Sequence, residues 1–168
     1  MQKRAGNLDT LRALGARQGF AVTAFDTVTA SGDDKISSTL IRQLLKQARP
    51  EEAARLLGEL GAAVIRGLQD TGVAACGKHF PGHGDTSVDS HVALPLVEHP
   101  PDRIRRVECV PFKEAVRQDV AFMMTAHILV PSMDEERPAT LAPSIVTDLL
   151  RETLGFRGVI LSDDLEMK

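Results

Sequence analysis

The chain has no tryptophan and no tyrosine, and six phenylalanines leave aromatic residues at 4% of the sequence. An aromatic-lined sugar cleft or a base-stacking platform is therefore poorly supplied. Cysteine is equally scarce. Cys76 and Cys109 are too few for a disulfide framework and too far apart for a C-x-x-C motif. Both read as buried free thiols in a reducing, cytoplasmic setting. No apolar run is long enough to span a bilayer, so no membrane partner is expected. The opening MQKRAGNLDT lacks the apolar core of a secretory signal. Neither charge sign prevails: 20 Lys+Arg stand against 23 Asp+Glu, a net charge of −3, which argues against a nucleic-acid partner.

What remains is an ordinary globular composition, 43% hydrophobic and 26% charged over 168 residues, enough chain for one domain with a real core. The charge is unevenly distributed. Residues 1–57 hold nine basic and six acidic side chains, and the remainder holds eleven and seventeen. No internal repeat or low-complexity tract is present.

Periodicity places the elements. Leu8, Leu11 and Leu14 form one stripe of a helix over 8–18, with Asn7 as its cap. Phe20–Phe25 reads as a short strand and Thr29–Asp34 as a polar turn. Ile36-Ser-Ser-Thr39 leads into a helix over 40–47. A longer helix starts after Pro50, with Glu51 and Glu52 in its first turn, where the macrodipole favours acids. Its apolar stripe is Leu57, Leu60, Val64 and Leu68, and Gly72 ends it. Then follow a strand at 73–76, a helix over 102–118, a strand over 121–129, a helix over 143–154 and a strand at 158–161. From about Gly58 the alternation of helix and strand predicts parallel strands with crossover helices. Lys78 and His79, then His127, then Asp163 and Asp164 follow successive strands, at the carboxyl ends where parallel α/β folds carry their chemistry.

The densest cluster of reactive types is KHFPGHGDTSVDSH at 78–91. Glycines at 77, 82 and 84 permit the tight turns that gather several side chains on one small site. Asp89 lies two residues before His91, a spacing at which its carboxylate can orient one imidazole nitrogen. The other nitrogen then faces a substrate, which makes His91 a candidate general acid/base. A metal held by His79, His83, Asp85 and His91 is the competing reading, although the spacing matches no standard zinc pattern. Ser162-Asp163-Asp164 offers a carboxylate nucleophile at a strand end, or a helix cap, and two adjacent acids allow both roles. His127 reads more readily as a hydrogen-bonded rim histidine than as a catalyst, and Met123 and Met124 as packing residues.

KHFPGHGDTSVDSH, MMTAHILVP and RPATLAPSIVTDLLRETLGFRGVILSDDLEM together resemble glycoside hydrolase family 3, in its bacterial β-N-acetylhexosaminidase branch, over about residues 58–168. The resemblance implies an α/β fold, a partial (β/α)8 barrel of about three βα units from its C-terminal half. It also implies a retaining, two-step cleavage of β-linked N-acetylglucosamine in muropeptide-type substrates of peptidoglycan recycling. By the same resemblance Asp163 is the nucleophile, Asp89 and His91 are the acid/base dyad, and Lys78 and His79 bind the sugar. No metal and no cofactor are implied.

Residues 3–57 depart from that family. KRAGNLDTLRALGARQGFAVTAFDTV, KISSTLIRQLL and EEAARLLG resemble the end of the nucleotidyltransferase domain of bifunctional riboflavin kinase/FAD synthetase. That resemblance implies a small unrelated α/β segment over 1–57, with Ser37, Ser38, Thr39 and Arg42 binding nucleotide phosphates. Hydroxyls at a helix start beside an arginine suit phosphate, and a plain helix cap is the alternative. The earlier barrel strands are not recognisable, nor are the further sugar-binding Asp and Arg expected with them. The expectations are therefore a weak or inactive glycosidase, an ATP- or FMN-binding module, or an inactive chimeric fragment. A typical barrel needs about 250 residues. An incomplete one exposes sheet edges, so self-association is expected.

Overall fold

The structure is a computed structural model and describes residues 8–22, 28–29, 35–86 and 94–166. In chain order the elements are α1 (Leu8–Gln18), α2 (Ser38–Lys46), α3 (Pro50–Gln69), β1 (Cys76–Phe80), α4 (Pro101–Arg106), α5 (Cys109–Arg117), β2 (Phe122–Thr125), β3 (Leu129–Val130), β4 (Asp134–Pro138), α6 (Ser144–Thr153) and β5 (Val159–Ser162). β1, β2 and β5 form a parallel sheet with β2 in the middle, and β3 and β4 form a separate antiparallel pair. The expected α/β class with parallel strands and crossover helices is what the chain adopts.

Local chemistry accounts for several boundaries. Ser37 caps α2, its hydroxyl accepting from the Leu40 N–H at 3.2 Å. Pro50 opens α3 at a position where no N–H is needed. α3 closes with the Val73 N–H on the Leu68 carbonyl (2.9 Å) and the Gly72 N–H on that of Gln69 (3.0 Å). That closure needs a left-handed residue, and Gly72 supplies it at φ +81°. The single helix expected over 102–118 is two, because Pro111 has no N–H to give the Val107 carbonyl. It sits instead in the first turn of α5, where none is required.

Other expectations are corrected. The strand read at 73–76 is β1, three residues later, where it pairs Cys76 with Phe122. The apolar run 121–129 splits. Only Phe122–Thr125 joins the parallel sheet, while Leu129–Val130 turns to pair with the acidic strand β4, which periodicity did not show. α6 is of π type, the Leu154 N–H reaching the Leu149 carbonyl. Residues 20–22 belong to no strand; residues 23–27, 30–34 and Asn7 lie outside the described residues. Leu8, Leu11 and Leu14 are exposed, and so are Leu57, Val64 and Leu68. α3 instead buries Ala53, Ala54, Leu56, Gly58, Ala62 and Ile65: Ala53 and Leu56 cluster with α2, and the small-residue face at Gly58 meets α5. A Cβ on Gly58 would lie 3.3 Å from the Glu114 Cβ, so the two helices cross closely there. Cys109 is buried, whereas Cys76 is exposed at the start of edge strand β1.

The main core surrounds β2. Met123 and Thr125 are buried there with Phe80, Ile128, Val130, Ile145, Leu150 and Phe156. Phe80 and Phe112 meet edge to face, centroids 5.2 Å apart. A smaller cluster of Ile36, Ile41, Leu44, Ala53 and Leu56 joins α2 to α3. α3 is continuous through Leu57 and Gly58, and Ile65, further along it, belongs to the main core.

Candidate active site

Three strands end on one face, at Phe80, Thr125 and Ser162. β1 reaches it through an irregularity: Gly77 pairs with Met123 but Phe80 pairs with Thr125, so three steps on β1 match two on β2. The extra residue lies at Lys78–His79, and such bulges re-aim side chains. The Lys78–His79 and Phe80–Pro81 peptide bonds are both cis. Lys78 is exposed and His79 half-buried.

His79 Nε2 lies 3.4 Å from Asp163 Oδ2, with the side chains 30% and 16% exposed. Asp163 follows β5 directly. Its other oxygen, Oδ1, accepts the Asp164 N–H at 2.9 Å, which fixes the plane of the carboxylate. Asp164 does a different job: its Oδ1 accepts the Glu166 N–H at 2.9 Å and closes the turn after β5. The adjacent acids thus divide into one that faces His79 and one that shapes the chain. Burial lowers the His79 pKa below its ordinary value; the Asp163 carboxylate works against that, while Lys78 and His83 add to it.

The loop after β1 carries further polar contacts. His83 lies edge-on to His79 with ring centroids 6.2 Å apart, and its Nδ1 is 3.0 Å from the Thr86 hydroxyl. Asp85 pairs with His99 Nε2 at 2.6 Å rather than turning toward His79. Among the described residues no three His, Cys, Asp or Glu side chains are grouped so as to hold a metal ion. Asp89 and His91 lie outside the described residues. Beyond this loop a cavity of about 610 Å³ opens between α3, α4 and α5, lined by Leu57, Phe112, Gly82 and Arg103; neither His79 nor Asp163 lines it.

Of the other sequence-marked residues, Ser37 is the α2 cap, and Ser38, Thr39 and Arg42 are exposed along α2. His127 is a hydrogen-bonded rim histidine: Nδ1 is 2.9 Å from the Thr140 hydroxyl and Nε2 is 3.1 Å from the Asp164 carbonyl. Thr125 and Thr140 escaped the sequence reading. One is a polar residue inside an apolar run, and the other sits in a loop whose partner is known only in three dimensions.

Residues 51–168 match the family described as Glycosyl hydrolase family 3 N terminal domain. Curated relatives include a beta-hexosaminidase of Thiobacillus denitrificans, 45% identical over 109 residues, covering 65% of this chain and 30% of that protein. Another is a beta-hexosaminidase of Pseudomonas aeruginosa, 42% identical over 134 residues, covering 80% of this chain and 39% of that protein. Among solved structures, a glycoside hydrolase family 3 beta-N-acetylglucosaminidase from Paenibacillus is 50% identical with a TM-score of 0.65, covering 67% of this chain and 22% of that one. The chain therefore spans well under half the length of these relatives. With the parallel sheet and the histidine–carboxylate pair at its carboxyl face, these matches establish that the chain belongs to glycosyl hydrolase family 3.

Proposed function

We propose that the chain carries part of the catalytic face of a retaining β-N-acetylhexosaminidase, built on three strands of a (β/α)8 barrel within residues 58–168. The observation that carries this reading is the Asp163 carboxylate at the mouth of the parallel sheet, one oxygen tied to the Asp164 N–H and the other facing His79. A nucleophile held this way enters the reaction with its orientation already set. Asp163 attacks the anomeric carbon of a β-linked N-acetylglucosaminide and forms a glycosyl-enzyme. His91, oriented by Asp89, protonates the leaving oxygen and then takes the proton from the attacking water. Lys78 and His79 hydrogen-bond the sugar beside the nucleophile. The relatives named beta-hexosaminidase support this substrate class, and muropeptide-type sugars in the cytoplasm are the setting proposed.

Turnover by this chain alone is proposed to be weak. Sugar contacts from the other strands of a full barrel are not recognisable in residues 1–57, and a looser pocket forfeits positioning. Among the described residues β1 and β5 are the edges of the sheet, and such edges favour association with a second copy, which sedimentation at rising concentration tests.

The test is hydrolysis of a chromogenic β-N-acetylglucosaminide, together with trapping by a slow fluorosugar substrate and peptide mass spectrometry. The expected result is slow release and a glycosyl adduct on Asp163, both lost in Asp163→Ala. Equal, nonzero release by the two proteins removes Asp163 from the mechanism. Neither release nor adduct in the unsubstituted chain removes the activity.

A further inference from the structure

We infer that His127 is a positioning residue: with Thr140 and Thr125 it forms a hydrogen-bonded clamp that holds Asp164 and, through it, the aim of Asp163 at His79. The direction of each bond follows from chemistry. The Asp164 carbonyl can only accept, so His127 Nε2, 3.1 Å away, carries the hydrogen. In a neutral ring Nδ1 is then a bare acceptor, and the Thr140 hydroxyl 2.9 Å away donates to it. The Thr140 oxygen in turn accepts from the Thr125 hydroxyl at 3.0 Å. The chain reads Thr125 to Thr140 to His127 to the Asp164 carbonyl, each hydrogen used once.

A second pattern is built into the same atoms. When His127 carries both protons, Nδ1–H donates to Thr140. That hydroxyl turns to the Ala126 carbonyl at 3.1 Å, and Thr125 turns to the Leu161 carbonyl at 3.2 Å. Every hydrogen is again satisfied, which matters because Thr125 is only 1% exposed and an unpaired hydroxyl there is costly. Both patterns leave Nε2–H on the Asp164 carbonyl. The clamp therefore survives a change in the protonation of His127.

Its place in the fold explains its use. The β2–β5 ladder ends at Thr125 and Ser162, one residue before Asp163. Beyond that point β2 and β5 no longer pair with each other, and His127 joins the segment after β2 to the turn after β5. Asp164 is held at its carbonyl by His127, and its N–H holds Asp163 Oδ1. The consequence for catalysis rests on Asp163 being the nucleophile; the clamp itself does not.

The experiment is nitrogen-detected NMR of the histidine rings in the full chain. Neutral His127 is expected as the Nε2–H form with an accepting Nδ1; a neutral Nδ1–H form, whose bare Nε2 has nothing to give the Asp164 carbonyl, overturns the clamp. Next, His127→Leu is compared with His127→Gln, whose amide N–H can reach the same carbonyl, with the His79 titration as readout. The charges that bear on His79 are Asp163, Lys78 and His83. Losing the clamp lets Asp163 move away, so His79 in His127→Leu titrates below its value in the unsubstituted chain, and His127→Gln restores it. An unchanged His79 in a folded His127→Leu overturns the inference. Should His127→Leu not fold, Thr140→Val, which strips Nδ1 of its donor, moves His79 the same way; an unchanged His79 there also overturns it. In a glycosidase assay the clamp predicts kcat about tenfold lower in His127→Leu with KM little changed. Loss of the His79 response sinks the clamp, whereas a failed assay with that response intact sinks only the nucleophile reading.

Discussion

His79 lies on β1 and Asp163 directly follows β5, the two outer strands of the three-stranded sheet, yet their Nε2 and Oδ2 atoms stand 3.4 Å apart across the end of β2. The carboxylate opposes the burial that lowers the His79 pKa. Asp163→Asn removes that opposition, so His79 is expected to titrate lower still, read by NMR.

The same pair sets a pH dependence of stability. The unfolded chain protonates His79 near 6.5, and the folded chain only at lower pH. Between those values the unfolded state holds more protons, so stability rises with pH through the window and is fully present above 6.5. As pH falls from 6.5 toward the folded value, that contribution is lost. Melting temperatures measured from about pH 5 to 8 are expected to show this slope. It should be absent in His79→Gln and extend to lower pH in Asp163→Asn.

Lys78 is exposed on β1 and takes part in no described ion pair. Lys78→Met is expected to leave stability within about 0.5 kcal/mol. If Lys78 holds the sugar, losing a charge-assisted hydrogen bond raises KM about tenfold or more. Urea unfolding and saturation kinetics on the same variant separate the two effects.

Arg151 fastens the end of α6 to the start of β5. Its Nη1 donates to the Phe156 carbonyl at 3.0 Å and the Gly158 carbonyl at 2.7 Å, and its guanidinium lies 5.1 Å from the Phe156 ring centroid. Arg151→Met keeps the aliphatic stem and loses all three contacts. A loss of about 2 kcal/mol is expected in urea unfolding.

Gly158 has no room for a side chain. An added Cβ would sit 2.4 Å from the Ala121 carbonyl oxygen and 2.7 Å from Phe156 Cζ. That carbonyl also accepts the Val159 N–H at 2.9 Å, the bond that seats β5 on β2, so the backbone cannot shift without losing the pairing. Gly158→Ala is expected to cost about 2 kcal/mol or more, with weakened amide-exchange protection along β5.

The main outline was legible because it is local. Pro50, Gly72 and the helical period between them mark α3, and Ser37 marks the start of α2. Asp163 stood out because a short apolar strand ends directly before it. Less was legible where burial depends on the partner. The leucine stripe of α3 looks like a core face, but α5 meets the small residues on another side of that helix. The run 121–129 is apolar throughout, so no alternation shows where it leaves the parallel sheet.

By itself the sequence determined the alternation of helix and parallel strand after α3, the α/β class and the position of the two motif-bearing segments, whose glycosidic chemistry is what the family resemblance implies. These depend on periodicity, turn residues and short-range order, which are written along the chain. Only the tertiary structure decided which of the adjacent acids faces His79, that Asp85 turns instead to His99, and that Thr125, His127 and Thr140 join one network. Those outcomes depend on the β1 irregularity and on parallel register, which bring distant residues within hydrogen-bonding distance and leave no trace in local spacing.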